Sequence, residues 1–209
     1  MIFYDCATAP SPRRARMFIA EKGLTPETRE ISIAAGEQLV PEFLAVNPRA
    51  TVPVLVTRDG TALTENLAIA TYLEESHPHP PLMGEGAEEK AAVMMWTAIC
   101  ETQGGQPIAE TLRNSNPHMR GRALPGPVDY DQIPELAERG RARVAQFYDL
   151  LEDRLTGRDF LATDRFTLAD ITGYVFCDFA RVIRMRVDDT HPALKRWYDA
   201  IGARPSAAL

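Results

Sequence analysis

A proline at the mouth of an apolar strand is the first chemical signal in this chain: Val52-Pro53 lies in the run Asn47-Pro48-Arg49-Ala50-Thr51-Val52-Pro53-Val54-Leu55. Proline cannot donate to a ladder and is held to strand starts, edges and bulges. A cis bond, allowed mainly before proline, would leave the N–H and C=O of Val52 facing outward to pair with an extended peptide. Further on, Asp59-Gly60 marks a turn, Ala62-Leu63 a short strand and Glu65-Asn66 the first turn of a helix. Free N–H groups at a helix start suit a carboxylate, and Glu65 offers a counter-charge to an ammonium. The same two residues could instead only cap that helix.

A second polar cluster lies in Asp5-Cys6-Ala7-Thr8-Ala9-Pro10-Ser11-Pro12-Arg13-Arg14-Ala15-Arg16. Ser11 before Pro12 reads as an N-cap with proline at the first helical position. Its hydroxyl would then sit at the positive end of the helix dipole, where it can also meet an anion. Arg13 and Arg14 oppose that dipole, which fits either a nearby anion or side chains that run to solvent or to acidic partners. Cys6 reads as the small, buried end of a strand.

The elements that must position these groups alternate over the first part of the chain. Residues 2–5 read as a strand, 12–22 as an amphipathic helix stopped by Gly23, and 28–33 as a strand of alternating character. A helix over 37–46, strands around 54–56 and 62–63, and the helix from Glu65 follow. This βαβ then ββα order predicts an α/β, thioredoxin-like domain with a mixed four-stranded sheet, assigned to residues 1–77. His77-Pro78-His79-Pro80-Pro81 cannot continue a helix, and 78–87 read as a linker.

Residues 88–209 read as all-helical. Helical periodicity runs over 88–113 and 133–155, separated by a Gly/Pro-rich loop over 114–134 that is long enough to serve a function. Thr167-Leu168-Ala169-Asp170 is a capping box, with Phe166 and Ile171 as its hydrophobic staple, and a last helix covers 192–203.

Composition narrows the function classes. Among 209 residues, 23 Lys plus Arg against 29 Asp plus Glu give a net charge of −6, and the pI is near 5.3. That balance argues against nucleic-acid and anionic-membrane partners. No basic leader or bilayer-length apolar run is present, so a cytoplasmic address is expected. Cys6, Cys100 and Cys177 form no CxxC pair, and His77, His79, His118 and His191 show no ligand spacing, so neither a disulfide framework nor a metal is expected.

With the Val52-Pro53 strand start followed by Glu65-Asn66, the chain resembles the cytosolic glutathione transferase superfamily along nearly its whole length. The resemblance implies that glutathione is the co-substrate, its γ-glutamyl end held at Glu65 and Asn66, its main chain against Val52 and Pro53, and its glycyl carboxylate near Thr51, with Gln38 or Arg49 more distant. Gln38 could equally be a solvated helix residue. Relatives usually carry Glu or Asp followed by Ser, so Asn66 departs from the pattern.

The family ionises the thiol with a Tyr, Ser or Cys in the loop after the first strand, and counting back from Glu21-Lys22-Gly23 places Ala9 at that position. A free thiol has a pKa of about 8.5, and lowering it by about two units requires roughly 2.7 kcal/mol of preferential thiolate stabilisation. Ser11 is one candidate for that contact. The run Pro-Ser-Pro-Arg-Arg-x-Arg also resembles a fungal and bacterial branch without the usual activator, where a water held by the helical domain poises the thiolate. The matching region here contains Asn114, Ser115 and His118. The electrophile is expected along the long helix at Trp96, Gln103 and Glu110, where most of the residues could equally be core. Transfer of glutathione to a small electrophile, in detoxification and as a homodimer, is the leading expectation. A glutathione-dependent disulfide or peroxide reductase and a non-catalytic binding module of the same fold are the alternatives.

Overall fold

Alternation in Ile2-Phe3-Tyr4-Asp5 puts Ile2 and Tyr4 on one face of a strand and Phe3 on the other, and both faces are covered in the computed structural model, which describes residues 1–209. Strands β1 (Ile2–Asp5), β2 (Glu27–Glu30), β3 (Val54–Val56) and β4 (Ala62–Thr64) form one sheet of order β2-β1-β3-β4. β1 runs parallel to β2 and antiparallel to β3, and β3 and β4 are antiparallel, which makes the sheet mixed. Tyr4, Ile31, Phe43 and Val54 cluster on one face, with the Tyr4 and Phe43 rings edge-on at 5.7 Å. Phe3 and Leu55 are register partners and are likewise buried.

Helices α1 (Pro10–Glu21), α2 (Pro41–Leu44) and α3 (Asn66–Ser76) complete this unit, which comprises Met1–Pro80, Pro125–Val128 and Leu209. α1 begins earlier than the Ser11-Pro12 pair predicts. Ala9 is its N-cap and Pro10 stands in its first turn, so Ser11 lies inside the helix and caps nothing. Proline's fixed φ suits the first helical position, and Pro10 meets that condition before Pro12 can. Beyond the helix, Gly23 at φ 66 lets Leu24 N–H return to Ile19 O at 3.0 Å.

Two further sequence expectations give way to local chemistry. β2 is a fully exposed edge strand ending at Glu30 rather than an alternating strand over 28–33; its charges guard an open edge. Ser32 and Glu37 then close a turn, Ser32 N–H donating to Glu37 Oε2 at 2.6 Å. The helix expected over 37–46 divides into a 3₁₀ turn, Glu37–Leu39, and α2. Pro41 lacks an N–H and holds Val40 extended at ψ 149.

The second unit, Pro81–Leu124 with Asp129–Ala208, is helical: α4 (Gly86–Ile99), α5 (Gln106–Ser115), α6 (Pro134–Leu155), α7 (Leu168–Phe179) and α8 (Pro192–Gly202). The long helix expected over 88–113 is divided by a π-helical segment, Cys100–Gly105. Pro107 can neither donate to Gln103 O nor tolerate that carbonyl against its ring, and widening the preceding turn relieves both problems. α6 approaches α5 where Gly140 faces Thr111. Every residue of α7 from Leu168 to Asp178 is buried, and its capping box forms as the sequence predicts, with Thr167 and Asp170 exchanging hydrogen bonds. No helix is long and apolar enough to cross a membrane.

Candidate functional site

The segment 47–53 is shaped from within. Asn47 is 2% exposed, its Nδ2 donates to Thr51 O at 2.8 Å and to Thr51 Oγ1 at 3.0 Å, and its Oδ1 accepts from Arg49 N–H at 3.1 Å. Ala50 turns the chain at φ 54, an uncommon conformation for a residue with a Cβ. The Val52–Pro53 peptide is cis. The ladder begins at Val54, and neither backbone polar group of Val52 enters it or a turn. A buried asparagine clasping its own loop is a feature that the sequence reading missed; Asn47-Pro48 was its one local signal.

β4 delivers the chain to Glu65, the N-cap of α3, at φ 68 and ψ 134. A non-glycine residue held there costs of order 1–3 kcal/mol, and such conformations cluster at functional sites. No side chain caps α3, while its first-turn N–H groups have no partner within the helix. Arg49 donates to Glu65 Oε1 at 2.6 Å and to Thr64 Oγ1 at 2.6 Å.

Asn66, 7% exposed, occupies the first position of α3, and its Nδ2 donates to Ser11 Oγ at 2.8 Å. Gln38 is 6% exposed and its Oε1 has no hydrogen-bond partner. One turn into α1, Arg14 is buried rather than solvated. Cys6 is buried directly after β1, its Sγ 3.6 Å from Thr8 Oγ1.

The helical unit holds the remaining candidates. Asn114 donates to Glu110 O at 2.8 Å and accepts from Ile133 N–H at 2.9 Å, so both ends of its amide are engaged in structure. His118 lies exposed in a 3₁₀ turn, Pro117–Met119, capped by Asn116. The loop around it is braced, since Gln132 Nε2 reaches Arg113 O and Asn116 O, both at 2.7 Å. Trp96 is buried beneath the Arg154 guanidinium at 4.8 Å, Gln103 is exposed in the π segment, and Glu110 pairs with Arg139 at 3.4 Å and Arg143 at 3.6 Å. The structure thus joins Ser11 directly to Asn66, places Thr51, Val52 and Pro53 on one clasped loop, and engages Glu65 with Arg49. Gln38 Oε1 forms no hydrogen bond to that set.

Comparison with known proteins is consistent across the chain. Residues 8–76 match the model of the glutathione S-transferase N-terminal domain and residues 115–205 that of the C-terminal domain. The chain is 32% identical over 209 residues to glutathione S-transferase 2 of Saccharomyces cerevisiae, covering 99% of this chain and 87% of that protein. The disulfide-bond oxidoreductase YfcG of Escherichia coli is 27% identical, covering 99% and 92%. Among solved structures, Gtt2 from Saccharomyces cerevisiae superposes with a TM-score of 0.89 at 32% identity, covering 100% of this chain and 99% of that one.

Proposed function

The chain belongs to the glutathione S-transferase family, and from that premise we propose that it binds glutathione, stabilises the thiolate and transfers it to a small electrophile. The observation that carries this reading is the uncapped start of α3 at Glu65 and Asn66, held by a Glu65 of positive φ. Its N–H groups suit the γ-glutamyl carboxylate, and the Glu65 carboxylate suits the ammonium. Val52 pairs its unused N–H and C=O with the cysteinyl residue against Pro53, while Thr51 and Gln38 serve the glycyl carboxylate.

Ser11 supplies the hydrogen bond to sulfur. A donor aimed at a thiolate acts on the charge that the thiol develops, and hydrogen bonds to charged groups are worth about 1.5–3 kcal/mol. The thiol proton leaves to solvent; the sulfur electron pair then forms the S–C bond, and the leaving group departs with its bonding pair. Asn114 is already engaged at both ends, which favours Ser11 over Asn114 for this contact. Trp96, Gln103 and Glu110 are our candidates for the electrophile's surroundings. A cytoplasmic homodimer acting in detoxification completes the proposal.

The similarity to a disulfide-bond oxidoreductase supports one second reading, glutathione-dependent reduction of disulfides. Titration of glutathione and its S-hexyl derivative into the protein, with the ultraviolet thiolate band followed against pH, tests the main proposal. Binding with a thiolate below about pH 7.5 is the expected result, and no binding at millimolar ligand refutes it. Turnover of a disulfide without turnover of a halo-nitroaromatic would select the reductase.

A further inference from the structure

Resting on the reading of Ser11 as the hydroxyl beside the thiol, the question is what aims that hydroxyl. Ser11 lies inside α1, where Ala9 is the cap, so its side chain is not used in capping. It makes one hydrogen bond, accepted from Asn66 Nδ2 at 2.8 Å. A serine hydroxyl has one donor and two acceptor positions. Filling an acceptor position with an amide N–H turns the O–H away from that amide. We propose that Asn66 is the positioning residue of the thiol site: by donating to Ser11 Oγ, it leaves the Ser11 O–H to donate to the glutathione sulfur.

Direction matters more than proximity here. With the amide rotated end for end, Ser11 would donate to Asn66 and have no proton left for sulfur. Asn66 Oδ1 is buried without a partner, so Ser11 is the one group that engages the amide, and the two side chains orient each other. The bond spans 55 residues of sequence and ties the first turn of α1 to the first turn of α3. The sulfur and γ-glutamyl ends of the ligand are thereby read through one hydrogen bond. An amide donor also polarises the hydroxyl it contacts, strengthening its onward donation.

The test is the pKa of the glutathione thiol bound to the wild type, to Ser11→Ala, Asn66→Ala, Asn66→Asp and the Ser11→Ala/Asn66→Ala double variant, with Kd measured for each. Asn66→Ala is expected to raise the bound thiol's pKa by about one, as loss of a hydrogen bond to a charged group predicts. In the Ser11→Ala background, removing Asn66 should raise it no further. Asn66→Asp keeps the size of the side chain and captures the Ser11 proton, so it too raises the value. It serves if the alanine variant does not fold. A fall or no change with Asn66→Ala, or additive changes in the double variant, overturns the inference. Wild type that binds no glutathione refutes the glutathione reading itself, a result distinct from tight binding with a thiol indifferent to Asn66.

Discussion

Arg49 and Glu65 hold each other at 2.6 Å although their side chains are 56% and 69% exposed. Water screens such a pair, and exposed ion pairs contribute about 0.2–1 kcal/mol. The pair therefore aims the Glu65 carboxylate far more than it stabilises the fold.

That division gives the first prediction. Glu65→Gln should weaken glutathione binding about tenfold, equivalent to about 1.4 kcal/mol, while unfolding free energy changes by less than about 1 kcal/mol. Calorimetric titration alongside urea unfolding separates the two quantities. A large loss of stability with unchanged Kd would show that Glu65 serves the fold instead.

Asp170 accepts from Leu161 N–H at 2.9 Å, Trp197 Nε1–H at 3.0 Å, Thr167 N–H at 3.0 Å and Thr167 Oγ1–H at 3.1 Å, with no exposure to solvent. Asp170→Ala strands these donors in the interior, where each unsatisfied group costs about 1–3 kcal/mol. A loss of at least about 3 kcal/mol in urea unfolding is expected. A loss below about 1 kcal/mol would mean that the surrounding turn relaxes around the gap.

The same carboxylate predicts a pH dependence. Burial pushes the Asp170 carboxyl up to about 6 despite its donors. The folded chain then holds this proton more tightly than the unfolded chain does, where the group sits near about 3.9. Its proton-linked stabilisation is complete below about pH 4 and is lost as pH rises through about 6, with an amplitude on the order of 3 kcal/mol. Unfolding free energies of wild type and Asp170→Asn, measured across that window, should differ by this slope. Parallel curves would show that the donors offset desolvation.

Gly140→Ala is a helical change that would ordinarily stabilise by about 1 kcal/mol. Here the added Cβ would lie 2.5 Å from Thr111 Oγ1 and 2.7 Å from Pro107 O. Backbone cannot yield as a side-chain tip can, and overpacking costs about 1–3 kcal/mol. Net destabilisation is expected in thermal and urea unfolding; a raised Tm would show that α5 and α6 separate at little cost.

Amino-acid order by itself determined the features governed by residues close in the chain. The capping box needs only Thr167 and Asp170, three residues apart, and forms as read. Alternation and turn chemistry likewise determined the thioredoxin-like order of elements in the first unit and the helical character of the second. Where two local signals competed, neighbouring geometry chose between them: Ala9-Pro10 started α1 ahead of Ser11-Pro12. Tertiary structure alone decided which polar atoms meet. Ser11 and Asn66 are separated by 55 residues, Asp170 and Trp197 by 27, and Asn114 and Ile133 by 19. A side-chain amide or hydroxyl can satisfy itself with many partners of equal chemistry. Its choice is set by the packing of helices and strands, which brings distant groups to within a hydrogen-bond length.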